Sequence, residues 1–338
     1  MPITKCIIGV MLLGGLALLG WMVRQVGLTD LIASCQVVGF WIVPYFLFEI
    51  IPDFLHTVAW AACFQGHQRS LSLWQLYVTR LAGSAINQVT PTATLGGEVV
   101  KVLLLEPLLP RAQAMAAVVI DKASITLAQT CYLALGLLNA MRYLPLPSEL
   151  QLALSLSISM VLLGLLGFIV LQRYGLLSQL VYHLSRLPLA QARLQRLSQR
   201  LAPLDAQLIG YYTAHPWRFG RSFLLHVVSF LATGCKTYVL LRLLLGTQAP
   251  GWSEAMLVAV VVAALDQMCF LVPARLGTLE GARVLVLSTV GITPAVGLAF
   301  GLMVRLDNLF WNGIGLLTYA LCTRRTFLAS SIQPEIRQ

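Results

Sequence analysis

The residues able to do chemistry in this 338-residue chain are few, and two groups of them repeat. Glu98 and Lys101 stand three apart, as do Glu280 and Arg283, a spacing that puts each pair on one face of a helix. The segment Pro91 to Leu105, PTATLGGEVVKVLLL, aligns without a gap on Pro273 to Leu287, PARLGTLEGARVLVL. Pro91 falls on Pro273, Glu98 on Glu280 and Lys101 on Arg283, with Gly96 and Gly97 in one segment and Gly277 and Gly281 in the other. Each segment is followed by an apolar run that carries charge: Asp121 and Lys122 after the first, Arg305, Asp307 and Asn308 after the second. A helix that starts after a Pro-Gly break presents unpaired N–H groups and a positive dipole end, which suits an anionic group such as phosphate. Lys122 and Arg305 can hold such a group, or they can form structural salt bridges to Glu98 and Glu280. Those two glutamates can carry a proton in a coupled cycle, or neutralise a buried cation. The polar run Asn87, Gln88, Thr90, Thr92 and Thr94 can line a wet cavity or bind helices together. Glu49, Asp53 and His56, spaced by four and three, share one helix face, and Arg80 and Asp266 precede the two breaks.

These residues need elements to position them, and composition says which kind. The chain has 23 basic and 13 acidic residues, 11% charged in all, with 58% hydrophobic residues. Mean hydropathy is +0.81. A soluble domain carries roughly 25% charge, so a soluble enzyme, a disordered chain and an ordinary nucleic-acid binder are excluded. A net charge of +10 on such a chain is a topology signal rather than a general basic surface. The fold expected is an all-α polytopic membrane protein, one membrane domain over residues 1–338. Full spans are expected at about 6–23, 37–62, 112–141, 150–171, 221–245 and 294–321. The N-terminal run lacks a convincing cleavage site and reads as an uncleaved first helix. Regions 71–109 and 254–291 are interrupted pairs whose second arms are too short for a core of about 30 Å, so each reads as a re-entrant or broken hairpin bent inside the protein. The two hairpin units run over about 71–141 and 254–321.

Residues 172–221 carry seven arginines and one acid, Asp205, and are expected to face the cytoplasm. Counting outward puts both termini inside, with Lys5, Arg69, Arg111, Arg324 and Arg325, while Arg24 and Arg142 are exceptions. Leu187, Leu194, Leu197, Leu201, Leu204 and Leu208 form one stripe of an amphipathic linker helix, expected to rest on the cytoplasmic leaflet. The two hairpins then enter from opposite faces, as an inverted repeat of the kind found in secondary transporters, with a site where the breaks meet. Seven cysteines without a C-x-x-C, five histidines without H-E-x-x-H and the lack of a P-loop point to no metal, no cofactor and no ATP use. A Ser/His/Asp set is also missing, so an enzyme is not expected.

Asn87-Gln-Val-Thr-Pro91 leading to Gly96-Gly-Glu98 and Lys101 resembles the flippase-like family of the lysylphosphatidylglycerol synthase transmembrane domain. Pro273-x-x-x-Gly277-x-x-Glu280-Gly281, followed by the Arg305 helix, resembles its second signature, and the likeness covers about residues 5–322. Pro52-Asp53, Trp60, Gly96-Gly97 and Val119-Ile-Asp121 are similar to a narrower group, membrane proteins associated with hopanoid biosynthesis. The resemblance implies translocation of lipids, hopanoid or anionic phospholipid, between leaflets of a bacterial inner membrane without nucleotide hydrolysis. A lipid-binding or scaffold subunit of a lipid-biosynthesis or export complex is the alternative. About 16 residues follow the last span, so the soluble synthase domain of the aminoacyl-transferring members is not expected. The partners implied are membrane lipids and lipid-biosynthesis or export proteins, not nucleic acid, and the oligomeric state is left open. Asn87, Pro91, Gly96, Gly97, Glu98, Lys101, Asp121, Lys122, Pro273, Gly277, Glu280, Arg283, Arg305 and Asp307 are the expected ligand-binding residues.

Overall fold

A computed structural model describes residue 29 and residues 36–65, 71–90, 95–143, 148–184, 191–268 and 278–332. Every regular element among the described residues is a helix. The helices are α1 (Gln36–Ala61), α2 (Leu73–Val89), α3 (Leu95–Leu105), α4 (Arg111–Tyr143), α5 (Ser148–Arg173), α6 (Leu177–Leu184), α7 (Gln191–Ala214), α8 (Pro216–Leu245), α9 (Trp252–Met268), α10 (Thr278–Thr289) and α11 (Pro294–Ile332). The expected span at 6–23 lies outside the described residues. Among the described residues, four helical stretches are long and apolar enough to cross a membrane: Gln36–Ala61, Arg111–Asn139, Ser155–Arg173 and Pro216–Gln248. The longest helix among the described residues is α11, with 39 residues.

The described residues fall into two compact units. Unit 1 takes the residues up to Asp53, then Trp74–Pro107, then everything from Leu231. Unit 2 takes Phe54–Leu73 and Leu108–Phe230. Helix α4 packs against α5 and α7 of unit 2.

In unit 1 the second arm of each pair is short, as the sequence suggested. Helices α2 and α3 have 17 and 11 residues, and α9 and α10 have 17 and 12. Eleven residues at 1.5 Å each reach only about 16 Å, half of a bilayer core. The first two arms lie against each other at a glycine contact. A Cβ placed on Gly97 would fall 2.0 Å from the Gly83 carbonyl oxygen, and one on Gly83 would fall 2.8 Å from Lys101 Cγ. No other residue type permits backbones that close. Ala82, Ala85, Ile86, Val89 and Val100 of this pair form one core with Leu316 and Tyr319 of α11.

The second arm of the other pair, α10, ends in a Schellman turn. Gly291 takes a φ of 79°, the Ile292 N–H donates to Leu287 O at 3.0 Å, and the Gly291 N–H donates to Ser288 O at 3.1 Å. The turn returns the chain into α11 and buries Leu287 and Ile292 in the larger core with Tyr45, Leu240, Leu241, Phe300 and Met303.

Span α1 is built from consecutive helical pieces, and prolines explain the joints. Pro44 and Pro52 each sit in the first turn of a piece, Ile42–Phe48 and Ile50–Ala61, where a missing N–H costs nothing. Pro52 leaves the carbonyl of Phe48 without its usual ladder partner, and the joint falls at Glu49.

In unit 2, α5 is the helix most open to surroundings. Met160 and Leu163 are exposed, as are Leu152, Leu156 and Leu166, which in a membrane protein is a lipid-facing surface. The linker stripe has a different use from the one expected. Leu204 and Leu208 are buried with Tyr211 and Tyr212 inside unit 2, while Leu197 is exposed. Two of the six stripe leucines thus cover protein rather than bilayer. Asp205, the lone acid of the region, is buried and accepts the Ser178 N–H at 2.8 Å, so it caps the start of α6 where a negative charge meets the positive helix end.

Candidate functional site

A polar side chain inside a membrane helix has no water to solvate it, so it must find a partner or serve a function. The Glu49, Asp53, His56 face of α1 meets three separate partners. At the joint of α1, Glu49 Oε2 accepts from Lys236 Nζ at 2.6 Å. The same nitrogen donates to Asp307 Oδ2 of α11 at 2.5 Å and lies 4.7 Å from the centre of the Tyr45 ring. Lys236 and Asp307 are buried, and Glu49 is partly open, with its side chain 26% exposed. Three helices, α1, α8 and α11, thus converge on one ammonium group. The second Asp307 oxygen, Oδ1, is buried and accepts no hydrogen bond from the described residues. Next along α1, Asp53 pairs with Arg80 of α2 at 3.6 Å. All five of these charged residues belong to unit 1.

The hairpin residues of unit 1 are largely engaged with one another. Lys101 donates to Glu98 Oε2 at 3.0 Å, the i,i+3 pair that the spacing suggested. Asn87 Oδ1 accepts the Gly97 N–H at 2.7 Å, so the side chain of one arm caps the helix start of the other. That bond occupies one of the N–H groups that the sequence reading had offered to an anion. Gly96 is buried. Arg283, the residue that the repeat matches to Lys101, is also interior at 2% exposed, and so is Arg305 at 4%. Pro91, Pro273 and Gly277 lie outside the described residues, as does the side chain of Glu280.

Asp121 and Lys122 belong to unit 2. Asp121 is buried and Oδ1 lies 3.1 Å from His226 Nε2 of α8, whose Nδ1 lies 2.7 Å from His56 Nδ1. Lys122 is half-buried on the neighbouring turn, and its carbonyl accepts the Thr126 hydroxyl at 2.7 Å. One helical turn from His226, Ser222 Oγ accepts from Ser124 at 3.0 Å and lies 3.5 Å from Cys63 Sγ. At the end of this layer, Tyr211 donates to Ala62 O at 3.3 Å and Tyr212 to Gln172 Oε1 at 3.1 Å. Burial pushes both phenols above their ordinary range, so they remain neutral donors.

The sequence reading passed over Lys236 and made nothing of His226. Both carried a signal, since each is an ionisable residue in the middle of an apolar run of 30 residues, where such a group is expensive. Tyr45 gave no signal at all.

Long apolar helices, lipid-facing leucines and ionisable residues paired inside helices define a polytopic all-α integral membrane protein. Residues 6–313 match the family model described as the lysylphosphatidylglycerol synthase TM region, and the chain belongs to that family. No curated protein and no solved structure matches it. Family membership suggests a function connected with membrane lipids.

Proposed function

We propose that the protein moves a polar-headed lipid between the leaflets of a bacterial inner membrane without hydrolysing nucleotide, with hopanoid or anionic phospholipid as the substrate class. The observation that carries this reading is the Lys236 cluster: one buried ammonium held by carboxylates from two other helices. Charges at membrane depth are retained at a cost of several kcal/mol, of order 2–4 on insertion scales, and mark substrate or ion paths. A headgroup enters by exchange of partners. Phosphate takes Lys236, and the Asp307 and Glu49 oxygens accept the donors of the headgroup, while the tails stay in the bilayer. Arg283 and Arg305 add buried positive charge to the same unit and favour an anionic substrate. The tight α2–α3 pair, read as a re-entrant hairpin, and its counterpart α9–α10 serve as the rigid walls of an inverted repeat.

The test is leaflet exchange of fluorescent phosphatidylglycerol in liposomes holding purified protein and no nucleotide. Exchange by the wild type, lost in Lys236→Gln, supports the reading. Exchange that is unchanged in Lys236→Gln removes the site from it. A lipid retained on purification with no exchange by any form of the protein supports the scaffold alternative instead.

A further inference from the structure

Unit 2 contains a second set of buried titratable side chains that the headgroup site does not use. His56 and His226 are 7% and 0% exposed, and Asp121 is 2% exposed. They come from α1, α8 and α4 and form a single file: Asp121 Oδ1 to His226 Nε2 at 3.1 Å, His226 Nδ1 to His56 Nδ1 at 2.7 Å. Phe230 stands edge-on to His56 with ring centres 5.2 Å apart and stacks on Tyr132, which fixes the imidazole plane.

The two Nδ1 atoms face each other, so one of them carries the hydrogen and the other accepts it. With Asp121 ionised and accepting at Nε2, a neutral His226 receives the hydrogen of His56. Add one proton, and His226 donates at both nitrogens while His56 accepts. Neither change moves a heavy atom. The added proton converts a buried net charge of −1 into a neutral chain and keeps both hydrogen bonds between the three side chains. This is the arrangement of a proton store, and a purely structural link needs only one histidine.

A path leads to it from one end of the unit. Cys63, Gln65, Gln113, Gln207 and Tyr211 line a cavity of about 10 Å³, the room of a single water. Cys63 continues to Ser222, and Ser222 to Ser124. Ser222 and Ser124 lie four and three residues from His226 and Asp121 on the same helices, rises of about 6 and about 4.5 Å. The cavity end carries the arginines. Arg218 Nη1 donates to Phe64 O at 3.1 Å, which places the start of α8 beside the end of α1, and Arg221 follows. By the positive-inside rule that end is cytoplasmic. The charged neighbours along the same three helices are Asp53 before His56, Lys122 after Asp121, and Arg218 and Arg221 before His226.

We propose that the His56–His226–Asp121 chain is a proton-binding site, loaded from the cytoplasmic end through the Cys63–Ser222–Ser124 column, and that its loading drives a step of transport. The proton comes from cytoplasmic water, rests on the imidazole pair, and is released to water on the opposite side as the transport step completes. The inference rests on the translocation reading above.

The experiment reconstitutes wild type, His56→Asn, His226→Gln and Ser222→Ala in liposomes carrying fluorescent phosphatidylglycerol and a lumenal pH dye. A pH gradient is expected to change the wild-type exchange rate, and exchange is expected to move protons. His56→Asn and His226→Gln, with thermal stability near wild type, lose both the gradient response and the proton flow, down to the level of empty vesicles. Ser222→Ala slows the proton flow while thermal stability stays near wild type. A structural link would not move these readouts. Wild-type exchange that ignores the gradient and carries no protons overturns the proton site and leaves translocation standing. A wild type with no exchange under any gradient overturns both.

Discussion

Replacing Lys236 by Met removes the ammonium group that Glu49 and Asp307 share while keeping the volume of the stem. The contacts are 2.6 and 2.5 Å. At an effective dielectric of about 20, each carries about 6 kcal/mol of Coulomb energy, most of it offset by the desolvation of the ions. Removing one partner of a buried pair costs about 3–5 kcal/mol, because the survivor stays buried without compensation. Asp307 has a side chain 7% exposed and bears most of that cost, whereas Glu49, at 26%, recovers some solvation. The expected loss is therefore about 3 kcal/mol, at the lower end of that range. Unfolding of purified protein by denaturant in detergent micelles reads it. The double variant Lys236→Met/Asp307→Asn removes the stranded charge and is expected to recover more than half of the loss, a coupling of about 2 kcal/mol. If Lys236→Met stays within about 0.5 kcal/mol of wild type, or the two changes simply add, the ammonium does not hold the three helices together.

Two further outcomes follow from local geometry. Gly97→Ala forces a methyl group against the Gly83 carbonyl, so it is expected to cost about 1–3 kcal/mol in the same unfolding assay, more than an alanine at the exposed Ser84. Asp205→Ala removes the acceptor of the Ser178 N–H and is expected to cost about 1 kcal/mol, with faster amide exchange at the start of α6 than in α7.

Much of the helix inventory was legible because it follows from local rules. Pro and Gly mark the ends of the short arms, and the Glu98–Lys101 pair could be read from a spacing of three. Partners distant in sequence were not legible. Asn87 caps Gly97 ten residues away across the break, and His56 meets His226 across 170 residues, which periodicity cannot show. The leucine stripe of α7 was correctly amphipathic, yet hydrophobic spacing alone does not say whether an apolar face meets lipid or protein. In α7 Leu204 and Leu208 meet protein. Lys236 was hidden by the strength of its surroundings: a run apolar enough to be a span drew attention to the span and away from its one lysine.

The central claim is that a lipid headgroup passes through the ion cluster of unit 1. Its most direct test is the rate at which fluorescent phosphatidylglycerol on the inner leaflet becomes open to an external quencher, in nucleotide-free liposomes. Wild-type protein is expected to expose the inner-leaflet label, and Lys236→Gln to expose no more than empty vesicles do. Equal exposure in the two, or none with the folded wild type, contradicts the account.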